Sequence, residues 1–283
     1  MKIISSVSEM SRISRALMGK NLTRGFVPTM GYLHDGHLAL MKEAGQRADR
    51  VIASIFVNPS QFGPGEDLDQ YPRDLERDAA LAEEAGVDLL FTPDADALYP
   101  EGYQTWIRVE QLSTGLCGAS RPDHFRGVAT VVAKLFNIVM PDIAVFGMKD
   151  FQQLQVIRQM ARDLNMQVKI VGHPIVREAD GLAMSSRNKY LTEEERKRAL
   201  CLRKALDLAV TLAKAGEKST RALKKAIKEH IESYSGTRID YIFTGRPDSL
   251  EETEEIGADG RLLLALAVYV GATRLIDNEV ITI

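Results

Sequence analysis

From residue 7 to residue 171 the chain alternates between amphipathic stretches and short apolar runs. Met10, Ile13, Leu17 and Met18 recur at helical spacing and predict a helix over 7–19. Gly25-Phe26-Val27 reads as a buried strand, and Leu38, Leu40, Met41 and Ala44 give the apolar face of a helix over 36–48. Val51 to Val57 is a β-branched run of the kind buried on both faces of a parallel sheet, and it ends in a turn-rich loop from Asn58 to Gly65. A helix over 72–86, stopped at Gly86, leads into a strand over Val87–Phe91. Residues 94–123 are irregular, with an edge strand expected at Thr105–Val109. A helix over 127–139, a strand over Ile143–Phe146, a helix over 151–164 and a strand over Val168–Val171 continue the rhythm. Strands and helices alternating in this way predict an α/β fold, a doubly wound parallel sheet.

The pattern changes after Pro174. Residues 192–214 read as one long charged helix and 219–233 as a second, followed by strands at Ile239–Phe243 and Arg261–Val270. The expected organisation is therefore a sheet domain over 1–177 and a smaller α+β domain over 178–283.

Four loops carry candidate chemistry. Pro28 to His37 turns from strand to helix and holds His34, Gly36 and His37, where free backbone N–H groups and the helix dipole favour an anion. The next strand leads to Asn58 and Gln61, and the one over 143–146 leads to Lys149 and Asp150, with Gln153 one turn into its helix. Met184-Ser185-Ser186-Arg187 lies near the domain junction. In an open parallel sheet, ligands bind beyond the carboxyl ends of the strands, so topology alone predicts that these groups converge. Two imidazoles beside an anion site, opposed by a lysine, two hydroxyls and a guanidinium, suit phosphoryl chemistry. Each loop also has an ordinary reading: capping at His34 and His37, turn chemistry at Asn58, an N-cap at Asp150, a solvated loop at Ser185. His124 and His173 suggest structural roles, and His230 reads as surface. Zinc lacks a third ligand by spacing.

Composition narrows the class. Neither a glycine-rich dinucleotide fingerprint nor a P-loop is present. The net charge of −3 argues against nucleic acid or an anionic membrane as partner. Cys117 and Cys201 have no metal-ligand spacing, the N-terminus lacks a signal-like apolar core, and the Leu262–Val270 run is too short to span a bilayer. The expected setting is the cytoplasm.

Together the motifs resemble the pantothenate synthetases (pantoate–β-alanine ligases) across essentially the whole chain. The similarity is carried by Pro28-Thr29-Met30-Gly31 with His34-Asp35-Gly36-His37, by Ser54 to Phe62, by His124-Phe125-Arg126-Gly127-Val128, by Phe146 to Leu154, by Met184 to Asn188 and by Arg274 to Asn278. The resemblance implies a Rossmann-like, adenylate-forming enzyme with a HIGH-type first motif, whose smaller C-terminal domain closes over the active site. It implies that the pantoate carboxylate attacks the α-phosphate of ATP, with magnesium carried by the phosphates, and that β-alanine then displaces AMP. By the same resemblance His37, His34 and Lys149 are catalytic. Met30, Gly31, His34, His37, Gly147, Met148, Lys149, Asp150, Val176, Met184, Ser185, Ser186 and Arg187 bind ATP. Gln61, Gln153 and Asn58 bind pantoate or β-alanine, Asp78 is a weak candidate near the metal, and the enzyme is a homodimer. Two other readings predict different products: a nucleotidyltransferase making a stable adenylate without an amine, and a nucleotide sensor with no turnover.

Overall fold

The computed structural model describes residues 1–283, which divide into two compact units: Met1–Met148 with Gln152–Pro174, and Lys149–Phe151 with Ile175–Ile283. The first unit runs β1 (Lys2–Ile4), α1 (Val7–Met18), β2 (Arg24–Thr29), α2 (Asp35–Gly45), β3 (Arg50–Ile55), α3 (Leu75–Glu84), β4 (Leu89–Phe91), the short α4 (Ala95–Leu98) and α5 (Cys117–Ser120), α6 (His124–Val139), β5 (Ile143–Gly147), α7 (Phe151–Asp163) and β6 (Lys169–His173). The second contains α8 (Glu193–Ala199), α9 (Cys201–Lys214), α10 (Thr220–Glu232), β7 (Thr237–Gly245), β8 (Arg261–Val270) and β9 (Thr273–Thr282).

The first unit is a six-stranded, all-parallel sheet in the order β1-β4-β3-β2-β5-β6. After β2 the chain builds outward through β3 and β4. It then returns to the other side of β2 for β5 and β6. The order reverses between β2 and β5, and a crevice at the carboxyl ends of these two strands is where doubly wound sheets bind ligands. Phe26, Val27, Ile52, Ala53, Ala144 and Val145 are buried, as strands covered on both faces require. A fork fixes the start of β2 beside the start of β5: Arg24 Nε and Nη2 donate to Asp142 Oδ2 and Oδ1 at 2.9 and 3.0 Å, and the Arg24 amide adds 2.7 Å.

The second unit stacks α9 and α10 on an antiparallel β7-β8-β9 sheet. Its core joins Leu202, Leu206, Leu223 and Ile227 from the helices to Leu264, Leu266 and Val268 from β8. In β8 the even-numbered residues enter this core, with the period of two of a strand, and the odd-numbered Leu263, Ala265 and Ala267 on the opposite face are buried as well.

Three expectations are corrected. Thr105–Val109 is not a strand. Its Ile107 amide donates to the Thr130 side chain at 2.9 Å, and Trp106 stacks on Tyr99 with ring centroids 5.9 Å apart, so side chains on α6 and its neighbours replace a β-ladder. The long helix over 192–214 is two helices, α8 and α9, meeting at Leu200, whose ψ of −13° loosens the turn. Lys2–Ile4, read only as a terminus, adds the edge strand β1 alongside β4.

Candidate active site

The turn after β2 departs from ordinary backbone geometry. Gly31 has φ +84° and Tyr32 has φ +51°, both left-handed. A side chain at residue 31 would also meet Ile55 Cγ2 at 2.9 Å, so glycine is required twice over. Thr29 Oγ1 accepts from the Gly31 amide at 3.2 Å and donates to the Ser54 carbonyl at 2.8 Å, tying the turn to β3. The largest constraint comes from α3. Asp78, 1% exposed, accepts from the Tyr32 amide on Oδ2 at 2.6 Å and from the Leu33 amide on Oδ1 at 2.7 Å. Arg77 beside it donates to the Leu33 carbonyl at 2.9 Å and lies over the Tyr32 ring. Asp78 therefore holds the turn with both oxygens, which corrects its reading as a carboxylate available to a metal.

This turn delivers His34 to the N-cap of α2 and His37 to its third position. Their rings lie 4.0 Å apart at 32°, and the His34 amide points to His37 Nδ1 at 3.4 Å. With Nδ1 as acceptor, the neutral His37 ring carries its proton on Nε2, a donor suited to a phosphate oxygen. The cap leaves α2 starting with two half-buried imidazoles where its dipole is positive.

The loop after β3 holds Asn58 and Gln61. Asn58 is 1% exposed, and its amide is fully engaged: Nδ2 donates to Gln61 Oε1 at 3.1 Å and to the Gly127 carbonyl at 3.2 Å, while Oδ1 accepts from Ser60 Oγ at 2.9 Å. Asn58 thus organises the turn, and Gln61 is left with its Nε2 3.1 Å from Met30 Sδ, which joins this loop to the β2 turn. Gly147, the last residue of β5, and Met148 after it are half-buried at the same carboxyl edge. Gln153 is half-buried in α7, whereas its neighbour Gln152 bonds the Leu112 and Gly115 carbonyls and the Cys117 amide as an interior brace.

The remaining predicted residues belong to the second unit. The Lys149 carbonyl accepts from Asn278 Nδ2 at 2.9 Å, and Asp150 is exposed. The Val176 carbonyl accepts from the Met184 amide at 3.0 Å, pinning the segment ahead of Ser185. Ser185 caps the 3-10 turn Ser186–Tyr190 by accepting from the Arg187 amide at 3.3 Å. Asn188, 8% exposed, donates to Glu178 Oε1 and to the Ala183 carbonyl, so this segment is braced from within. Below it Arg177 forks onto buried Asp277 at 2.7 and 2.9 Å. The Lys149–Asn278 and Arg177–Asp277 braces join residues 129 and 100 positions apart, and no local pattern announced them.

His124 and His173 are structural as expected, bonding the Gln61 carbonyl at 2.8 Å and Glu43 at 3.2 Å. His230 is half-buried rather than a surface residue, with Nε2 enclosed.

Paired histidines at a helix N-terminus, beside the switch point of a parallel sheet, define the class: a nucleotide-binding α/β protein of the HIGH-motif kind. The family model described as pantoate-beta-alanine ligase matches residues 2–280. The pantothenate synthetase of Moorella thermoacetica is 54% identical over 283 residues, covering 100% of this chain and 99% of that protein. The crystal structure of pantothenate synthetase from Thermus thermophilus superposes with a TM-score of 0.92 at 47% identity, covering 99% of each chain. The pantoate-beta-alanine ligase of Francisella tularensis, complexed with beta-gamma ATP and beta-alanine, gives 0.78 at 34% identity, covering 99% of this chain and 97% of that one. The chain belongs to the pantoate-beta-alanine ligase family. It is accordingly an ATP-using ligase of pantothenate biosynthesis, with the Rossmann-like fold of that family.

Proposed function

We propose that the chain condenses (R)-pantoate with β-alanine in two half-reactions, with the β2 turn as the nucleotide wall. In the first, a pantoate carboxylate oxygen attacks the α-phosphorus of ATP. The bond from that phosphorus to the bridging oxygen breaks, and diphosphate leaves. In the second, the β-alanine amine attacks the acyl carbon of pantoyl adenylate. The acyl C–O bond breaks, the nitrogen loses a proton, and AMP leaves with pantothenate formed. No covalent enzyme intermediate is required, so catalysis is positioning, charge stabilisation and protection of a mixed anhydride from water.

In this reading His34 and His37 meet the phosphates, with His37 Nε2 donating to the oxygen on which charge grows. Met30, Gly31, Gly147 and Met148 line the nucleotide, Lys149 neutralises phosphate charge, and Asp150 and Val176 contact the ribose and adenine. Met184, Ser185, Ser186 and Arg187 take the diphosphate as the second domain, 178–283, closes. Gln61, on a loop shaped by Asn58, and Gln153, on α7, hold pantoate. ATP brings magnesium on its phosphates. The buried Cys201 thiol, with its pKa pushed by burial to about 12, is an inert core group that fits a reducing cytoplasm. No helix is long and apolar enough to cross a membrane. A homodimer completes the proposal.

The observation that carries this reading is the His34–His37 pair capping α2 at the switch point of the sheet. The test is product analysis. Diphosphate release is expected only when pantoate accompanies ATP, and AMP and pantothenate are expected in equal amounts once β-alanine is added. Diphosphate release indifferent to pantoate overturns the reading.

A further inference from the structure

One side-chain cluster in the first unit is built around a single backbone carbonyl. The Gln61 carbonyl oxygen accepts from His124 Nδ1 at 2.8 Å and from Arg121 Nη2 at 3.4 Å. Arg121 also forks onto Glu66, with Nε 2.8 Å from Oε1 and Nη2 2.5 Å from Oε2, while its Nη1 lies 3.2 Å from His124 Nε2. The partners assign the histidine proton. A carbonyl only accepts, so Nδ1 bears the hydrogen; a guanidinium only donates, so Nε2 is the acceptor and the ring is neutral. Burial alone would raise the Glu66 carboxyl, but hydrogen bonds and charge from Arg121 and a backbone hydrogen bond at Gly63 outweigh it and hold it below the usual range.

The cluster spans two separate loops. Glu66 lies just beyond the 3-10 turn Pro59–Gln61, whereas Arg121 and His124 flank the start of α6. At 20% and 25% side-chain exposure, the Arg121–Glu66 pair is wet enough to add little to stability. What it fixes is position, because the peptide it grips belongs to Gln61, whose side chain reaches Met30.

We propose that Glu66, Arg121 and His124 are positioning residues for the hydroxy-acid substrate. They clamp the Gln61 peptide and thereby aim the Gln61 amide at pantoate, without touching the substrate themselves. This rests on the reading of Gln61 as a pantoate contact. A displacement of about 1 Å at a substrate-holding group can cost as much as ~100-fold, which is how a clamp of small energy acts on catalysis.

Steady-state kinetics with each substrate varied in turn tests it. Glu66→Ala, on a surface loop, is expected to raise the pantoate KM about tenfold while the ATP KM stays within about twofold. Its melting temperature should move by no more than about 2 °C, as for a surface substitution. Glu66→Gln, which keeps an acceptor for the Arg121 guanidinium, should hold the pantoate KM well below that of Glu66→Ala. His124→Asn, which keeps a donor near the Nδ1 position, should hold the KM close to that of the unaltered protein, whereas His124→Leu should not. If His124→Leu does not fold, Glu66→Ala and Glu66→Gln still decide the matter. Three results overturn the inference: an unchanged pantoate KM in Glu66→Ala, KM values rising equally for all substrates as the melting temperature falls, or a pantoate KM in Glu66→Gln as high as in Glu66→Ala. Gln61→Ala separates the two levels. If it raises the pantoate KM and the clamp variants do not, the clamp fails and the Gln61 reading stands. If it leaves the pantoate KM unchanged, the Gln61 reading fails and takes the clamp with it.

Discussion

Two residues of the β2 turn illustrate opposite kinds of dependence. His37 is half-buried at the start of α2, where its ring can donate to an anion at little cost to the fold. His37→Ala should therefore slow pantoate-dependent diphosphate release by roughly 100-fold or more, the scale of a lost acid or charge-stabilising donor, with a nearly unchanged melting temperature. An inactive variant that has also unfolded would make the histidine structural. Asp78 is the reverse case. Removing its carboxylate strands the Tyr32 and Leu33 amides, each costing about 1–3 kcal/mol when left unsatisfied. Asp78→Ala should lose about 2–5 kcal/mol in denaturant titration and lose activity with it. A stable but inactive Asp78→Ala would point to a direct role with ligand instead. The histidines were legible in the sequence because a strand signal, a glycine and a helix signal surround them within a few residues. Asp78 was misread because its partner amides lie 45 and 46 residues away, beyond any local pattern.

At the scale of elements, the contact between α6 and the 3-10 turn Pro59–Gln61 depends on one missing side chain. A Cβ on Gly127 would lie 2.6 Å from the Ser60 carbonyl carbon and 2.7 Å from the Gln61 nitrogen, and backbone cannot rotate out of the way. Gly127→Ala should push the turn off α6, costing about 1–3 kcal/mol of stability, the usual range for overpacking. It should also raise the pantoate KM more than the ATP KM; equal effects on both would show that the turn and the pantoate site are not coupled. On α10, burial first and then the Lys204 charge depress the His230 pKa below its ordinary 6.5. The unfolded chain takes that proton before the folded one does. Stability present above about pH 6.5 is thus lost as pH falls through the lower folded value. His230→Leu should flatten this acid limb of a stability–pH profile, and an unaltered limb would assign it to other groups. Helix and strand rhythm was legible because long periodic segments reflect burial directly. The segment Thr105–Val109 was not, because Ile107 bonds the Thr130 side chain rather than a strand, a choice made in three dimensions.

For the whole molecule, alternation of strands and helices was enough to predict a doubly wound sheet. It did not contain the order β1-β4-β3-β2-β5-β6, because the reversal about β2 depends on which strands pair. The change of pattern after Pro174 has a physical counterpart in a second apolar core drawn wholly from residues 182–281. A core closed within one segment allows that segment to fold alone. Expressed alone, residues 175–283 should unfold in one cooperative transition, since α9 and α10 cover one face of the β7-β8-β9 sheet. The fragment forfeits the bond from Asn278 to the Lys149 carbonyl, a loss of about 1 kcal/mol, small against the burial of Leu202, Leu206, Leu264 and Leu266 at about 1.5–3 kcal/mol each. A broad, non-cooperative melt would mean that this core needs the parallel-sheet unit to order it. The fragment should also release no diphosphate from ATP with pantoate present, because it lacks the His34–His37 turn. Turnover by the fragment would move the chemistry away from the β2 turn.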